Sequence, residues 1–210
     1  MPETMYIPKF FAETDVKSLL AFMREFNFAA LVSAENDLPT ATHLPFIIEE
    51  YEDKIVLSAH MAKANLQWKE FGEKQVLVIF QEPHAYVSPL LYTDKLNVPT
   101  WNYVAVHAYG KVKIFEAVEE NIALLEKMMA VFDPKYLETN WREIPYEYKA
   151  SRAKAIVAFE IEVTDLQGKK KLNQNKGVED AENVIAAFEK SDSKNEQQIA
   201  RFMKEVYKDG

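Results

Sequence analysis

The sequence predicts a mainly β protein with added helices, its strands antiparallel in a closed or nearly closed barrel. Three observations carry that prediction. Short segments that alternate apolar with polar residues, or run apolar throughout, are joined by short turns, and strands so closely joined must pair antiparallel. The crossover helices that a parallel sheet needs are missing between them. The segments with helical spacing are inserted or appended, at Val16–Phe26, Val118–Phe132 and beyond Val178.

After an extended start, "MYIPKFF", Thr14 is placed to cap a helix whose Val16, Leu19, Leu20, Met23 and Phe26 follow the i, i+3, i+4, i+7 spacing. Strands follow at "AALVS" (Ala29–Ser33), "TATHLPFIIE" (Thr40–Glu49) and "KIVLSAH" (Lys54–His60), with turns at "ENDLP" and "YED" between them. "AKANLQWKEF" (Ala62–Phe71) reads as a short helix. It leads into "QVLVIFQ" (Gln75–Gln81), apolar enough to be buried on both faces and so the centre of the sheet. "HAYGKVKIFEA" (His107–Ala117) alternates as a strand does. "VEENIALLEKMMAVF" (Val118–Phe132) is an amphipathic helix with Ile122, Leu125, Met128, Met129 and Phe132 inward. "IVAFEIEVTDL" (Ile156–Leu166) is the last long strand, and helices at Val178–Lys190 and Asn195–Lys208 close the chain. The sheet then holds about six strands. A boundary falls near Gly177, dividing a domain of residues 1–176 from a helical appendage of residues 177–210.

A chain of 210 residues can bury one sizeable core. With 48% hydrophobic and 28% charged residues it has the composition of a soluble globular protein, which argues against disordered and fibrous classes. No apolar run approaches the ~18 residues of a membrane span. The opening "MPETMYIPKFF" lacks the basic start and small-residue cleavage site of a secretory signal, so a cytoplasmic protein is expected. The absence of cysteine excludes disulfides, thiolate zinc sites and thiol nucleophiles. A net charge of −8 repels nucleic acid, and the one basic run, "GKKKL" at Gly168–Leu172, reads as a solvated hairpin end. Only five glycines occur, with neither a P-loop nor G-x-G-x-x-G, so a phosphorylated ligand must be held by side chains and helix N-termini.

The four histidines, His43, His60, His84 and His107, show no H-x-x-x-H spacing; no metal site is expected, and each alone reads as a structural histidine. No G-x-S-x-G elbow surrounds Ser33, Ser58 or Ser88. "SAHMAKANLQW" (Ser58–Trp68) is more specific. A strand end gives way to a helix start carrying Lys63 and Asn65, which gathers N–H donors, a positive dipole end and a cation at one point. That combination suits a phosphate; the alternative is a surface lysine beside a helix cap. "VPTWNYVAVHAYG" (Val98–Gly110) is uncharged and rich in aromatic residues, including Trp101 and Tyr103 beside Asn102.

"MYIPKFF", "THLPF", "AHMAKANLQW", "VIFQEPHAYVSPLLY", "VPTWNYVAVHAYG" and "KLNQNK" occur in that order between Met5 and about Phe188. Together they resemble the PaiB family of FMN-binding negative transcriptional regulators, built on the split barrel of the pyridoxamine phosphate oxidases. The resemblance implies a six-stranded antiparallel split β-barrel of the FMN-binding type, forming a homodimer with FMN in the groove between subunits. It implies that Thr42, His43 and Leu44 run past the isoalloxazine and that His60, Lys63 and Asn65 serve the phosphate side. Tyr86, Trp101, Asn102 and Tyr103 would reach the barrel mouth or dimer seam, and Gln174 and Asn175 would close the site. Regulation could be direct or indirect. The alternatives are a flavin-dependent oxidoreductase of flavin reductase or oxidase type, or a haem-degrading split-barrel enzyme. The C-terminal helices carry Glu179, Asp180, Glu182, Glu189, Asp192, Glu196 and Glu205 against few basic residues. They offer no recognition helix, so direct DNA binding is expected to be weak at most.

Overall fold

The computed structural model describes residues 5–52, 54–72 and 74–208. The chain runs β1 (Ala12–Glu13), α1 (Val16–Glu25), β2 (Phe28–Glu35), β3 (Leu38–Pro45), β4 (Ile47–Tyr51) and β5 (Lys54–Ala62). After a 3-10 turn at Leu66–Glu70 come β6 (Gln75–Val87), β7 (Thr100–Ile114), α2 (Val118–Phe132), α3 (Pro134–Thr139) and α4 (Tyr146–Ala153). β8 (Ile156–Lys171), α5 (Val178–Glu189) and α6 (Lys194–Lys208) complete it.

Turn chemistry sets the register of the first strands. Asn36 and Asp37 have φ of 50° and 62°, and Glu35 stands opposite Leu38. A two-residue loop with both positions left-handed matches the twist of the strands it joins, and Asn and Asp tolerate that conformation. Glu52, with φ of 51°, begins the turn that sets Tyr51 opposite Lys54; the Asp53 of the expected "YED" turn lies outside the described residues. The sheet order is β3–β2–β6–β7–β8–β5–β4, with β1 paired to β8. This is the predicted class, mainly antiparallel β with helices inserted and appended. The path starts at β3 and ends at β4, so the sheet is open, as a split barrel requires.

The sheet has eight strands rather than six among the described residues. The run expected as one strand over Thr40–Glu49 divides at Pro45, which has no N–H to donate to a ladder; the Phe46 N–H then turns to the Asn27 carbonyl at 2.8 Å before β4 starts. The two-residue β1 is too short to show a period. β6 and β7 extend further than the alternation suggested, and β7 takes in the uncharged aromatic segment from Thr100 onward. β8 continues through the lysine run, which is therefore not a solvated hairpin end. Lys169 is only 9% exposed and donates to the Tyr6 carbonyl at 2.9 Å, its ammonium lying 5.5 Å and 5.4 Å from the Tyr6 and Tyr103 rings. Lys170 pairs with Glu13 and donates to the Ser18 hydroxyl, each at 2.7 Å.

Helix boundaries follow capping. Asp15, not Thr14, starts α1: its side chain accepts from the Lys17 N–H at 3.1 Å and its carbonyl from the Leu19 N–H at 3.0 Å. Leu19, Leu20 and Met23 are buried as the spacing predicts. In α2 the buried positions are Asn121, Leu124 and Met128, one residue out of phase with most of the expected face, and Phe132 is 44% exposed. Ile122 instead lines a groove with Ile144 and Tyr146, because α2 has a second neighbour in α4. α3 and α4 are short, polar helices with no clear apolar stripe, which is why periodicity alone did not mark them. Ala62–Phe71 keeps only the 3-10 turn, since β5 runs to Ala62 and the Lys63 N–H bonds the Ala155 carbonyl at 2.9 Å.

The chain forms two compact units. One comprises the chain up to Leu19, Phe80–His107 and the chain from Gln167 onward; the other comprises Leu20–Ile79 and Ala108–Leu166. Within the second, the Phe71 and Phe159 rings meet at 5.5 Å, and Ile47 and Ala158 pack under Leu124 and Met128 of α2. Within the first, Leu172, Ile199 and Met203 are fully buried. Burying such side chains contributes about 1.5–3 kcal/mol each. Among the described residues, no helix is long and apolar enough to cross a membrane.

Candidate functional site

Thr42, His43, Leu44, His60, Lys63 and Asn65 all lie in the second unit. Alternation along β3 puts Thr42 and the buried Leu44 on one face and His43 on the other, where its ring stacks on exposed Phe28 at 6.4 Å between centroids. Thr42 meets Asn65: the Asn65 amide donates to the Thr42 hydroxyl at 2.8 Å, while its carbonyl oxygen accepts from the Gln67 N–H at 3.1 Å. Asn65 is thus a cap and a tether at once. The Thr42 hydroxyl, having accepted, keeps its own proton to donate. Lys63 is exposed, and its ammonium has no carboxylate partner among the described residues. Its carbonyl accepts from the Trp68 indole N–H at 3.2 Å, which pins the turn around it.

Beneath this pair lies a network that sequence reasoning did not find. Gln67 is 2% exposed, and its amide nitrogen lies within hydrogen-bonding distance of the Leu31 carbonyl, the Ser33 hydroxyl and the Thr40 carbonyl, at 3.1–3.2 Å. The Ser33 hydroxyl donates in turn to Glu70 at 2.6 Å. The only signal in the sequence is a polar residue amid apolar ones in "NLQWKEF", which does not reveal its partners. His60 lies on β5, three residues before Lys63. It occupies the face covered by α2, its Nδ1 3.1 Å from the Met128 sulfur, and burial holds its pKa below the ordinary histidine value.

Tyr86, Trp101, Asn102, Gln174 and Asn175 lie in the first unit. Tyr86 and Trp101 are about half exposed and meet edge to face, with centroids 5.9 Å apart; His84, read as structural, lies 5.9 Å from the same indole. Asn102 is fully buried on the opposite face of β7, its amide nitrogen 3.5 Å from the Met203 sulfur. Adjacent strand residues point to opposite faces, so Trp101 and Asn102 cannot serve one surface. Gln174 spends both ends of its amide on its own turn, accepting from the Leu172 N–H at 2.7 Å and donating to the Lys170 carbonyl at 2.5 Å. Asn175 is exposed at the rim of a cavity of about 200 Å³.

The family profile described as "Putative FMN-binding domain" matches residues 5–165. The chain belongs to the FMN-binding PaiB family. A relative in Bacillus subtilis (strain 168), named "Protease synthase and sporulation protein PAI 2", is 38% identical over 208 residues, 97% of this chain and 99% of its own. The fold of this family member is shared by a flavocytochrome from Azotobacter vinelandii, with a TM-score of 0.61 at 14% identity over 80% of this chain and 73% of that one. It is shared too by an FAD and heme binding protein from Mycobacterium smegmatis, with a TM-score of 0.58 at 14% identity over 84% and 79% of the two chains. FMN is the cofactor of the family.

The residues present fit FMN at its phosphate end. Lys63 offers a cation with no carboxylate partner among the described residues, Thr42 offers a hydroxyl proton, and Glu70, the nearby acid in this network, is held by Ser33. A charge-assisted bond from an ammonium to a phosphate oxygen is among the stronger contacts a protein surface makes.

Proposed function

We propose that this protein binds FMN with its phosphate on Lys63, Thr42 and Asn65, and that its flavin state acts on gene expression indirectly, as a negative regulator in the manner the PaiB resemblance implies. The observation that carries the flavin assignment is the Asn65–Thr42 tether, which ties the turn carrying exposed Lys63 to a hydroxyl on β3. The relative named for protease synthesis and sporulation supports the regulatory reading. A net charge of −8 and the acidic α5 and α6 favour an indirect route over DNA binding by the protein alone. FMN supplies reversible hydride or electron chemistry when bound. The chain's own residues position it, and residues 1–176 contain every candidate contact. We place the protein in the cytoplasm as a homodimer, with exposed Phe28 and Leu38 on the β2–β3 hairpin as apolar surface for a second copy.

The test is titration of the flavin-free protein with FMN and riboflavin. FMN should bind distinctly more tightly, and Lys63→Ala should narrow the gap whereas Lys69→Ala should not. Equal affinity for the two flavins, unchanged by Lys63→Ala, removes the phosphate assignment. A second reading, an oxidoreductase, is favoured by His84 beside the exposed Tyr86–Trp101 pair, a proton carrier on an aromatic surface. Flavin-dependent oxidation of a reduced nicotinamide by the purified protein would select it; haem titration addresses the haem-degrading alternative.

A further inference from the structure

The lysine run and the "KLNQNK" segment build a second cationic feature, within the first unit. A cavity of about 200 Å³ is lined by Thr100, Lys171, Asn173, Asn175 and Lys176, with Phe11 among its apolar walls and no carboxylate among its described lining residues. Lys171 donates to the Trp101 carbonyl at 2.6 Å and to the Thr100 hydroxyl, both neutral acceptors. Lys176 donates to the Asn97 side-chain oxygen, its ammonium 4.7 Å from the centre of the Tyr92 ring. An ammonium has three protons, so Lys171 keeps one donor and Lys176 two, while the Thr100 hydroxyl, having accepted, has its proton to give. The Asn175 amide stands at the rim. Of the neighbouring lysines, Lys170 is neutralised by Glu13, but Lys171 and Lys176 have no acidic partner among the described residues. In a chain of net charge −8, two cations that line one cavity and lack an acidic partner among the described residues constitute an unfilled demand for negative charge.

We propose that this cavity is an oxyanion site that takes a phosphate-class anion independently of the flavin. The volume suits a phosphate group on a small organic body and is too small for an isoalloxazine with its side chain. Burial, and then the charge of Lys169, hold the Lys171 pKa below the ordinary lysine value, and an anion between Lys171 and Lys176 would relieve both. The loop geometry supports the same role. Gln174 clamps the turn at Leu172 and Lys170, and Asn173, at φ 67°, donates to the Tyr92 hydroxyl at 3.2 Å and accepts from the Tyr207 hydroxyl at 2.7 Å through its carbonyl. The donors are thereby fixed before any ligand arrives, which reduces the ordering that binding would cost.

The proposal rests on FMN binding elsewhere in the chain, and its test separates the two. The FMN-loaded protein is titrated with inorganic phosphate in a phosphate-free buffer, by calorimetry and by thermal shift. Phosphate should bind, with affinity about tenfold weaker in Lys176→Gln and lost in Lys171→Gln/Lys176→Gln, while the FMN to riboflavin preference stays as in the parent. Lys176→Gln alone suffices if the double variant fails to fold. Absence of phosphate binding, or binding unchanged in Lys176→Gln, overturns the site. So does phosphate binding that appears only in the flavin-free protein and is displaced by FMN, since the cavity would then serve the flavin's own phosphate. Failure of the protein to bind FMN is read independently, from flavin absorbance.

Discussion

Thr42 and Asn65 lie 23 positions apart in the chain, and one hydrogen bond joins them. Thr42→Val keeps the shape and removes the acceptor, so it should cost about 1 kcal/mol of stability and weaken FMN binding, whereas Thr42→Ser should preserve both; thermal melts and flavin titration check this. His60 makes a second prediction. Its folded pKa lies below the ordinary value of 6.5 because burial disfavours the charged ring. The unfolded chain therefore takes up a proton that the folded one resists, and stability falls as pH drops below about 6.5. Denaturant melts across pH 7 to 5 should show a shallower loss in His60→Leu than in the parent. The Lys63–Asn65 motif was legible in sequence because strand end and turn are local. The directions of Asn102 and Gln67 were not, since the face a side chain takes depends on register with strands far away in sequence.

At the level of elements, close approach and pairing decide what is tolerated. A Cβ on Gly110 would stand 2.4 Å from the Glu162 carbonyl oxygen and 2.6 Å from an Ile161 methyl, so β7 can lie against β8 there only because glycine lacks it. Gly110→Ala should destabilise by about 1–3 kcal/mol, while Gly177→Ala, with nothing within 4 Å, should be nearly neutral; calorimetric melting separates them. The β1–β8 pair is held at Glu13. Burial pushes its carboxyl up, but the Lys170 hydrogen bond and charge, the Asp15 N–H and the Ser18 hydroxyl outweigh this and leave it lowered. Its stabilising effect is complete above the unfolded value near 4.5 and drains away as pH falls through the folded value. Glu13→Gln should remove that part of the acid sensitivity, read from melting temperature against pH. Helices with strong apolar stripes and turns with Asn-Asp were readable; the Pro45 break and the continuation of β8 through three lysines were not, because each lysine's partner comes from a distant segment.

For the molecule as a whole, charge and exposed apolar surface make the predictions. A homodimer should persist at micromolar concentration in sedimentation, and Phe28→Lys should shift it toward monomer; a parent that sediments as a monomer overturns this. DNA binding by the protein alone should be weak and fall steeply with salt, and nanomolar, sequence-selective binding at physiological salt would refute an indirect route. The fold class was readable because alternation and short turns report antiparallel β without any partner being known, whereas the homodimer is an expectation from the family resemblance and not from composition.

The chain passes between its two units four times, after Leu19, Ile79, His107 and Leu166, and every passage falls inside α1, β6, β7 or β8 rather than in a connector. Neither unit corresponds to a continuous stretch of gene. Recombination at the borders of such a gene cannot replace one unit and keep the other, and no truncation yields either alone. A new ligand preference in this chain must therefore arise by substitution in place, with each accepted change in one unit inherited alongside the unaltered sequence of the other.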